Sequence, residues 1–375
     1  MAASTTGIPH QVRGVMKSSD PLPLTPEELT AAWFTKILGK PVKDATIGKA
    51  IHGTASKILV ELTFEDSADA PTKVCVKGGF NPALLASLPF MFSIYRLEAE
   101  FYYYVAPTIS IPLPPTVYCG TDTVKGQGIV VMADLEARGY TFGNPLEAWP
   151  VDRVQAGVEQ LAILHARTWG SKPEDFSWAS ETVSLRDAVV GLMAPEEWGK
   201  RFAGDARPPV PDFMVDRERM TATFKTLWKP SNSTLNCLVH GDAHIGNTFI
   251  SPAGEPGFLD WQVIHVSSAM HDVAYFIIGT LSIEDRRKRE KELVQHYLDA
   301  LHRAGAPKFQ IEDIWNEYRI HAFHGFAWAL AGPMMQSREI VDVMTGRHCA
   351  AIVDHKSVEL LEGLEEYMVL EGTGV

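Results

Sequence analysis

Leu238-Val239-His240-Gly241-Asp242-Ala243-His244-Ile245-Gly246-Asn247, followed by Phe258-Leu259-Asp260-Trp261, is the stretch that decides how this chain is read. It spaces an aspartate, an asparagine and a second aspartate in a way that suits phosphoryl transfer from a nucleotide. That chemistry needs a carboxylate to orient and deprotonate an attacking hydroxyl, and oxygen ligands to hold Mg²⁺ against the phosphates. Asp242 suits the first task; Asn247 and Asp260 suit the second. Between them, Thr248-Phe249-Ile250 leads through the Pro/Gly-rich segment from Ser251 to Gly257 into Phe258-Leu259, which predicts strand, turn, strand. Such a hairpin would return Asp260 to the side of Asn247.

Bulk properties narrow the classes around this motif. A chain of 375 residues can bury a large core and is long enough for two lobes. With 46% hydrophobic and 21% charged residues, it has the balance of an ordinary globular protein. A net charge of −12 argues against a nucleic-acid partner, which would need a basic surface to neutralise phosphates. The short basic run Arg286-Arg287-Lys288-Arg289 is flanked by Glu284 and Glu290 and reads as a solvated helix face. Cys75, Cys119, Cys237 and Cys349 are far apart and form no Cys-x-x-Cys pair. A zinc ribbon or a disulfide framework is therefore not expected, and a reducing, cytoplasmic setting is. The apolar stretches Val273 to Leu281 and Phe323 to Met335 are too short or too interrupted by polar residues to span a bilayer, so no membrane partner is expected. Residues 1–22 read as a flexible N-terminal tail.

Outward from the motif, the periodicity divides the chain. Thr25-Pro26-Glu27-Glu28 predicts a helix start, with Thr25 as N-cap and Glu28 completing a capping box. Leu29, Trp33, Ile37 and Leu38 then share a face over about three turns. β-Prone runs follow at Asp44 to Ala50, Lys57 to Thr63 and Lys73 to Val76, then a helix from Phe92 to Val105. Thr116 to Tyr118 and Gly128 to Met132 are the next strands. The pattern predicts a small sheet-based lobe over residues 23–135, which would bind the nucleotide. A mainly helical lobe over 136–375 would carry the catalytic loop and the substrate pocket. Lys77 ends the apolar strand Val74-Cys75-Val76, a position from which a lysine can reach phosphates if a carboxylate holds it. Downstream, Glu98 and Glu100 both offer one. Ala50 to Ser56 holds a single glycine. Gly53, Thr54 and Ser56 can donate to phosphate oxygens or form an ordinary β-turn.

The motif His240-Gly241-Asp242 with Asn247, together with Asp260-Trp261, resembles the aminoglycoside phosphotransferase and choline kinase superfamily. Within it, the helix pattern around Glu98-Ala99-Glu100-Phe101-Tyr102 is most similar to the ecdysteroid-kinase-like branch. The resemblance implies an α+β, bilobal protein-kinase-like fold with a small β-rich N-lobe and a larger helical C-lobe. It also implies ATP and Mg²⁺ as cofactors, Asp242 as catalytic base, and Asn247 and Asp260 as metal ligands. On the family pattern Glu98 is the partner of Lys77, with Glu100 as runner-up. Val130 to Leu135, Met132 included, takes the place of the inter-lobe linker that contacts adenine. Protein kinases carry Arg before the catalytic aspartate and Phe-Gly after the metal-binding one. Gly241 and Trp261-Gln262 stand there instead, which favours a small-molecule hydroxyl acceptor over a protein.

Two other readings compete. His240-x-Asp242-x-His244 on an extended strand puts imidazole and carboxylate on one face, as a metallohydrolase would, with His265, His271 and Asp272 as further ligands. That reading leaves Lys77, Glu98 and Asn247 unused. A catalytically silent nucleotide-binding protein is the other, and the presence of base, metal ligands and lysine argues against it. On the kinase reading, His240 supports the loop, while His244 reaches the phosphate region or orders the loop. Asp272 serves as an N-cap or loop anchor and His165 as a packed core histidine. The acceptor stays open among steroid, amino alcohol, sugar and antibiotic. Trp261 and the segment from Trp315 to Met335 are candidates for its pocket, although the face formed by Trp315, Tyr318, Ala322 and Phe326 is more often core.

Overall fold

The structure, a computed structural model, describes residues 21–66, 73–87, 91–180, 185–229, 234–332 and 335–372. The expected tail, apart from Pro21 and Leu22, lies outside the described residues. The expected α+β class is borne out: an antiparallel sheet near the N-terminus precedes a mainly helical remainder. Contacts divide the chain into two units. One comprises Met1–Thr141, Lys172–Val183 and Phe249–Val266, the other Phe142–Ser171, Ser184–Thr248 and Ser267–Val375, each with respect to its described residues.

The first unit is built on five strands: β1 (Val42–Ile51), β2 (Ser56–Phe64), β3 (Lys73–Gly78), β4 (Thr116–Asp122) and β5 (Gln127–Ala133). They are ordered β1-β2-β3-β5-β4, with every neighbouring pair antiparallel. In β2 the period of two is plain. Ile58, Val60 and Leu62 are buried, while Lys57, Glu61 and Thr63 face water. Strand β5, paired on both sides, is buried throughout. These apolar faces share a core with Leu22, Leu29 and Phe34.

The first helix begins later than the sequence suggests. Pro26–Glu28 is a single 3₁₀ turn, and the Thr25 side chain makes no capping bond. The Glu28 carboxylate instead accepts from the Leu24 N–H at 2.6 Å, and Leu29 leaves helical geometry to bury in the sheet core. The helix proper is Ala31–Leu38, capped by Thr30, which accepts from the Trp33 N–H. Likewise, the single helix expected from Phe92 to Val105 is an α-helix over Met91–Glu100 that widens into a π turn over Phe101–Val105.

Gln127 ties this unit together and carries no motif that sequence reading would notice. Its side chain is fully buried, accepts from the Gly79 N–H at 2.8 Å, and donates to the carbonyls of Pro23 at 2.8 Å and Gly79 at 3.0 Å. It thus joins the segment before the first helix to the residues just beyond β3.

In the second unit the helix Met270–Thr280 is buried along its whole length. It packs against Val151–Arg167, Ile283–Arg303 and Ile311–His321. Tyr318, Ala322 and Phe326 are core residues and Trp315 is half-buried, so that face is mainly packing. The basic run is not wholly solvated, as the sequence suggested. Arg286 is buried and bonds both Glu290 and Asp354, because the helix Ile283–Arg303 turns that residue inward. Among the described residues, no helix is long and apolar enough to cross a membrane.

Replacing Gln127 with Ala should cost roughly 2–4 kcal/mol, because buried backbone groups lose partners that water cannot replace. Urea denaturation measures this, and a loss below about 0.5 kcal/mol would show that Gln127 is dispensable.

Candidate active site

In the first unit, β3 alternates Val74 and Val76 into the core and delivers Lys77 close to its end, opposite Val130 of β5. The Lys77 ammonium lies 2.7 Å from Glu98 Oε2 and 3.1 Å from Asp260 Oδ1. Glu98 is therefore its helix partner. Glu100 is taken by Arg96 at 2.5 Å, and Arg96 in turn donates to the Trp178 carbonyl. Burial alone would lower the pKa of Lys77, but the carboxylates of Asp260 and Glu98 outweigh it and hold the ammonium above its usual value. Burial raises the pKa of Glu98 even though Lys77 pulls it down. One lysine thus faces two carboxylate side chains, an arrangement that suits a further cation. The carboxylate best placed to meet one is Asp260, whose side chain is 29% exposed against 3% for Glu98.

Asp260 has a φ of +65°, a left-handed conformation that aspartate tolerates better than most residues. Next to it, Trp261 is fully buried and stacks on Phe101 at 3.8 Å between centroids, 9° from parallel. That contact makes Trp261 a packing residue that fixes the backbone beside Asp260, and not the substrate wall considered from sequence. In the loop between β1 and β2, Ser56 bonds the His52 ring at 3.0 Å, while the Thr54 carbonyl accepts from the Tyr95 hydroxyl at 2.8 Å. Gly53 and Thr54 are exposed and Ser56 is buried. Met132 lies inside β5, flanked by Cys75 and Thr116, so its backbone belongs to the sheet ladder.

In the second unit, Asn236–Val239 is a short strand that leads into the loop from His240 to Asn247. Asn247 Nδ2 donates to both the backbone carbonyl and Oδ2 of Asp242, each at 3.0 Å. With its nitrogen held there, the amide oxygen of Asn247 is turned away from Asp242, as a hard-cation ligand should be. His244 Nδ1 accepts from the Gly246 N–H at 3.0 Å, which leaves the ring proton on Nε2, 3.7 Å from Asp242 Oδ2.

Beneath the loop, Asp272 is fully buried. It accepts the N–H groups of His240 at 2.6 Å and Gly241 at 3.0 Å, and meets His165 Nε2 at 3.1 Å. The Gly241 carbonyl is held by His271 at 3.1 Å, and Gly241 has a φ of +85°, where a side chain would be strained. Burial alone would raise the pKa of Asp272, but the hydrogen bond and charge of His165, with His271 and His240, hold it far below the ordinary range. Of the two roles foreseen for Asp272, the geometry gives loop anchor, because the N-cap of its helix is Ala269. His165 is the satisfied core histidine expected, with its Nδ1 2.8 Å from the Tyr297 hydroxyl. Spacing alone did not reveal that it works through Asp272.

The hydrolase alternative is corrected here. His240 is wholly buried and its Nδ1 is engaged by the Asp242 N–H at 3.2 Å, so it does not present a ligand beside Asp242 and His244. Among the described residues, no group of three His, Cys, Asp or Glu side chains is placed to hold a metal.

Residues 205–306, a little over a quarter of the chain, match the sequence model of the Ecdysteroid kinase-like family. The match covers the loop from His240 to Asn247 and Asp272, and it bears out the resemblance read from the sequence. Among solved structures, the chain is similar to a choline kinase from Streptococcus pneumoniae at 12% identity, over 88% of this chain and 99% of that one, with a TM-score of 0.44. For an ethanolamine kinase from Plasmodium vivax, identity is 14%, coverage 84% and 83%, and the TM-score 0.47. A macrolide 2'-phosphotransferase from Brachybacterium faecium gives 13%, 84% and 97%, and 0.46. No curated protein sequence matches the chain.

His348, also in the second unit, is fully buried, and neither ring nitrogen has a hydrogen-bond partner among the described residues. Burial, with the Arg347 charge beside it, pushes its pKa down to about 3, so it is neutral at physiological pH. An unfolded histidine titrates near pH ~6.5, so the unfolded state takes up a proton that the folded state refuses. Stability should therefore fall as the pH drops below about 6.5, by up to about 1.4 kcal/mol per unit from this residue. Urea denaturation of wild type and His348→Asn at pH 7 and pH 5 checks this. The variant should show the shallower loss, and equal losses would mean that His348 is protonated in the fold.

Proposed function

We propose that the chain is an ATP- and Mg²⁺-dependent small-molecule kinase that transfers a phosphoryl group to the hydroxyl of a small metabolite or antibiotic-like acceptor. The observation that carries this reading is the ion triad of Lys77, Glu98 and Asp260, drawn from three distant parts of the sequence. A buried lysine at a strand end, held by one helix carboxylate and a second acidic residue, is what phosphate binding requires; hydrolysis at a metal-bound water has no use for it. Four free thiols accord with a cytoplasmic setting.

When bound, Mg-ATP supplies the transferable phosphoryl group and the cation that offsets its charge. The residues of the chain do the positioning. Lys77 offers positive charge to phosphate oxygens, and Glu98 keeps it from swinging away. Asp260 and the Asn247 amide oxygen would hold the metal. Gly53, Thr54 and Ser56 form a turn with donors for phosphate, Met132 contributes its side chain to a base-binding wall, and His244 directs its Nε2 proton toward Asp242 and the reacting oxygens. Asp242 accepts a hydrogen bond from the acceptor hydroxyl, aligns it and takes its proton.

Replacing Asp242 with Asn should lower turnover by roughly 10²–10⁴ without unfolding the protein, and undiminished turnover would remove Asp242 from the base role. For Asp260 the informative change is Asp260→Asn, which keeps a residue tolerant of positive φ. Nucleotide affinity titrated against Mg²⁺ should weaken, whereas an unchanged titration would count against metal ligation. The reading as a whole is tested by screening hydroxylated metabolites with γ-labelled ATP and Mg²⁺. No transfer to any acceptor, together with no ATP binding, would overturn it.

A further inference from the structure

Alternation along the strands sorts the side chains of the first sheet onto two faces. One face carries Ile58, Val60 and Leu62 of β2, Val74 and Val76 of β3, and Ile129 and Val131 of β5 into the core shared with Leu29 and Phe34. The other face is ordered in rows across the strands. Leu59, Cys75 and Met132 are partners in one row, and Lys57, Lys77 and Val130 are partners in the next. An apolar row thus lies two residues, roughly 7 Å, from a row with two lysines.

We propose that Lys57 is a second phosphate-binding lysine, which shares the phosphate chain of the nucleotide with Lys77. The two stand directly opposite in an antiparallel pair, so their Cβ atoms lie about 5 Å apart on one side of the sheet. Their circumstances differ. Lys77 is buried and held by Glu98 and Asp260. Lys57 is exposed, and its ammonium has no ion pair or hydrogen bond among the described residues. Its partner on β1 is Ile51. No acidic residue occurs in β3, and the one in β1, Asp44, stands opposite Thr63.

Like charges directly opposite one another on a sheet are unfavourable, and an anion laid across them removes the conflict. Lys57 does not guard a sheet edge, a common use of lysine, because β2 is paired on both sides. Its charge is felt within the face: burial pushes the Cys75 thiol up to about 11, against the opposing charges of Lys57 and Lys77. Lys57 also directly follows the turn over residues 53–56, so the turn and the two lysines border one stretch of the face. A polyphosphate joined to a flat apolar ring matches the two rows, with the ring on Leu59, Cys75 and Met132 and the phosphates on the lysines. Lys77 is held in place by its carboxylates, whereas Lys57 brings a mobile point charge from the open side.

The inference deepens the kinase reading and rests on it for the nucleotide. Isothermal titration calorimetry of the full chain with Mg-ATP, tripolyphosphate and adenosine tests it in wild type, Lys57→Gln and Lys57→Arg. Lys57→Gln should weaken Mg-ATP and tripolyphosphate by roughly 10-fold, the scale of one charge-assisted contact, and leave adenosine within about twofold. Lys57→Arg keeps the charge and should recover most of the loss. The urea midpoint of Lys57→Gln should match or exceed that of wild type, since a like-charged neighbour is removed. Unchanged affinity for Mg-ATP and tripolyphosphate, or a loss for adenosine as large as that for Mg-ATP, would overturn the assignment. So would a urea midpoint clearly below wild type, which would make Lys57 a structural counter-charge to Glu98. A wild type that binds tripolyphosphate but not Mg-ATP counts against the kinase reading, while the tripolyphosphate loss in Lys57→Gln still decides the role of Lys57. A wild type that binds neither overturns both.

Discussion

A buried, ionised carboxylate organises the second unit. Asp272 sits where water cannot solvate it, yet its charge is kept because two backbone N–H groups and His165 converge on it. Each of these partners would be costly to leave unmatched in a dry interior. The arrangement works in both directions: the loop satisfies the carboxylate, and the carboxylate dictates the path of His240 and Gly241. Because Gly241 is then held in the left-handed region, the chain turns sharply and Asp242 follows at a fixed angle. The loop is thus built on the most deeply buried helix of the unit, which gives a reactive group on a coil segment the rigidity of a packed core.

The first unit treats charge differently. There a lysine with two carboxylate neighbours is kept protonated, and the balance is left negative. In the second unit the buried charge of Asp272 is met instead by backbone N–H groups and a histidine.

Much of this was legible in the sequence because it is local. The strands of the first sheet follow from period-two alternation, and the spacing of Asp242, Asn247 and Asp260 is a property of one short stretch. The choice between Glu98 and Glu100 needed the three-dimensional structure. Successive turns of the helix Met91–Glu100 send the two carboxylates to different partners, and Arg96 claims the second. Gln127 was invisible for a related reason. A buried glutamine becomes informative only through what it touches, and those contacts join segments far apart in the chain. The early helix start was misread because a capping-box pattern competes with the burial of Leu29, and burial wins. The buried state of His240 likewise could not be read from alternation along a strand, which says which side a residue faces but not how deep it lies.

The positive φ of Asp260 also bears on how the protein can change over time. Most side chains at that backbone angle cost about 1–2 kcal/mol, and only Gly, Asn and Asp enter it readily. Of those three, a single one offers a carboxylate. Drift at this codon is therefore confined twice, once by backbone geometry and once by charge, and the conservative exchange of Asp for Glu, harmless at many acidic positions, is closed to it. A lineage that no longer needed this carboxylate would be expected to show the change first as Asn or Gly at this position, with the fold around it intact.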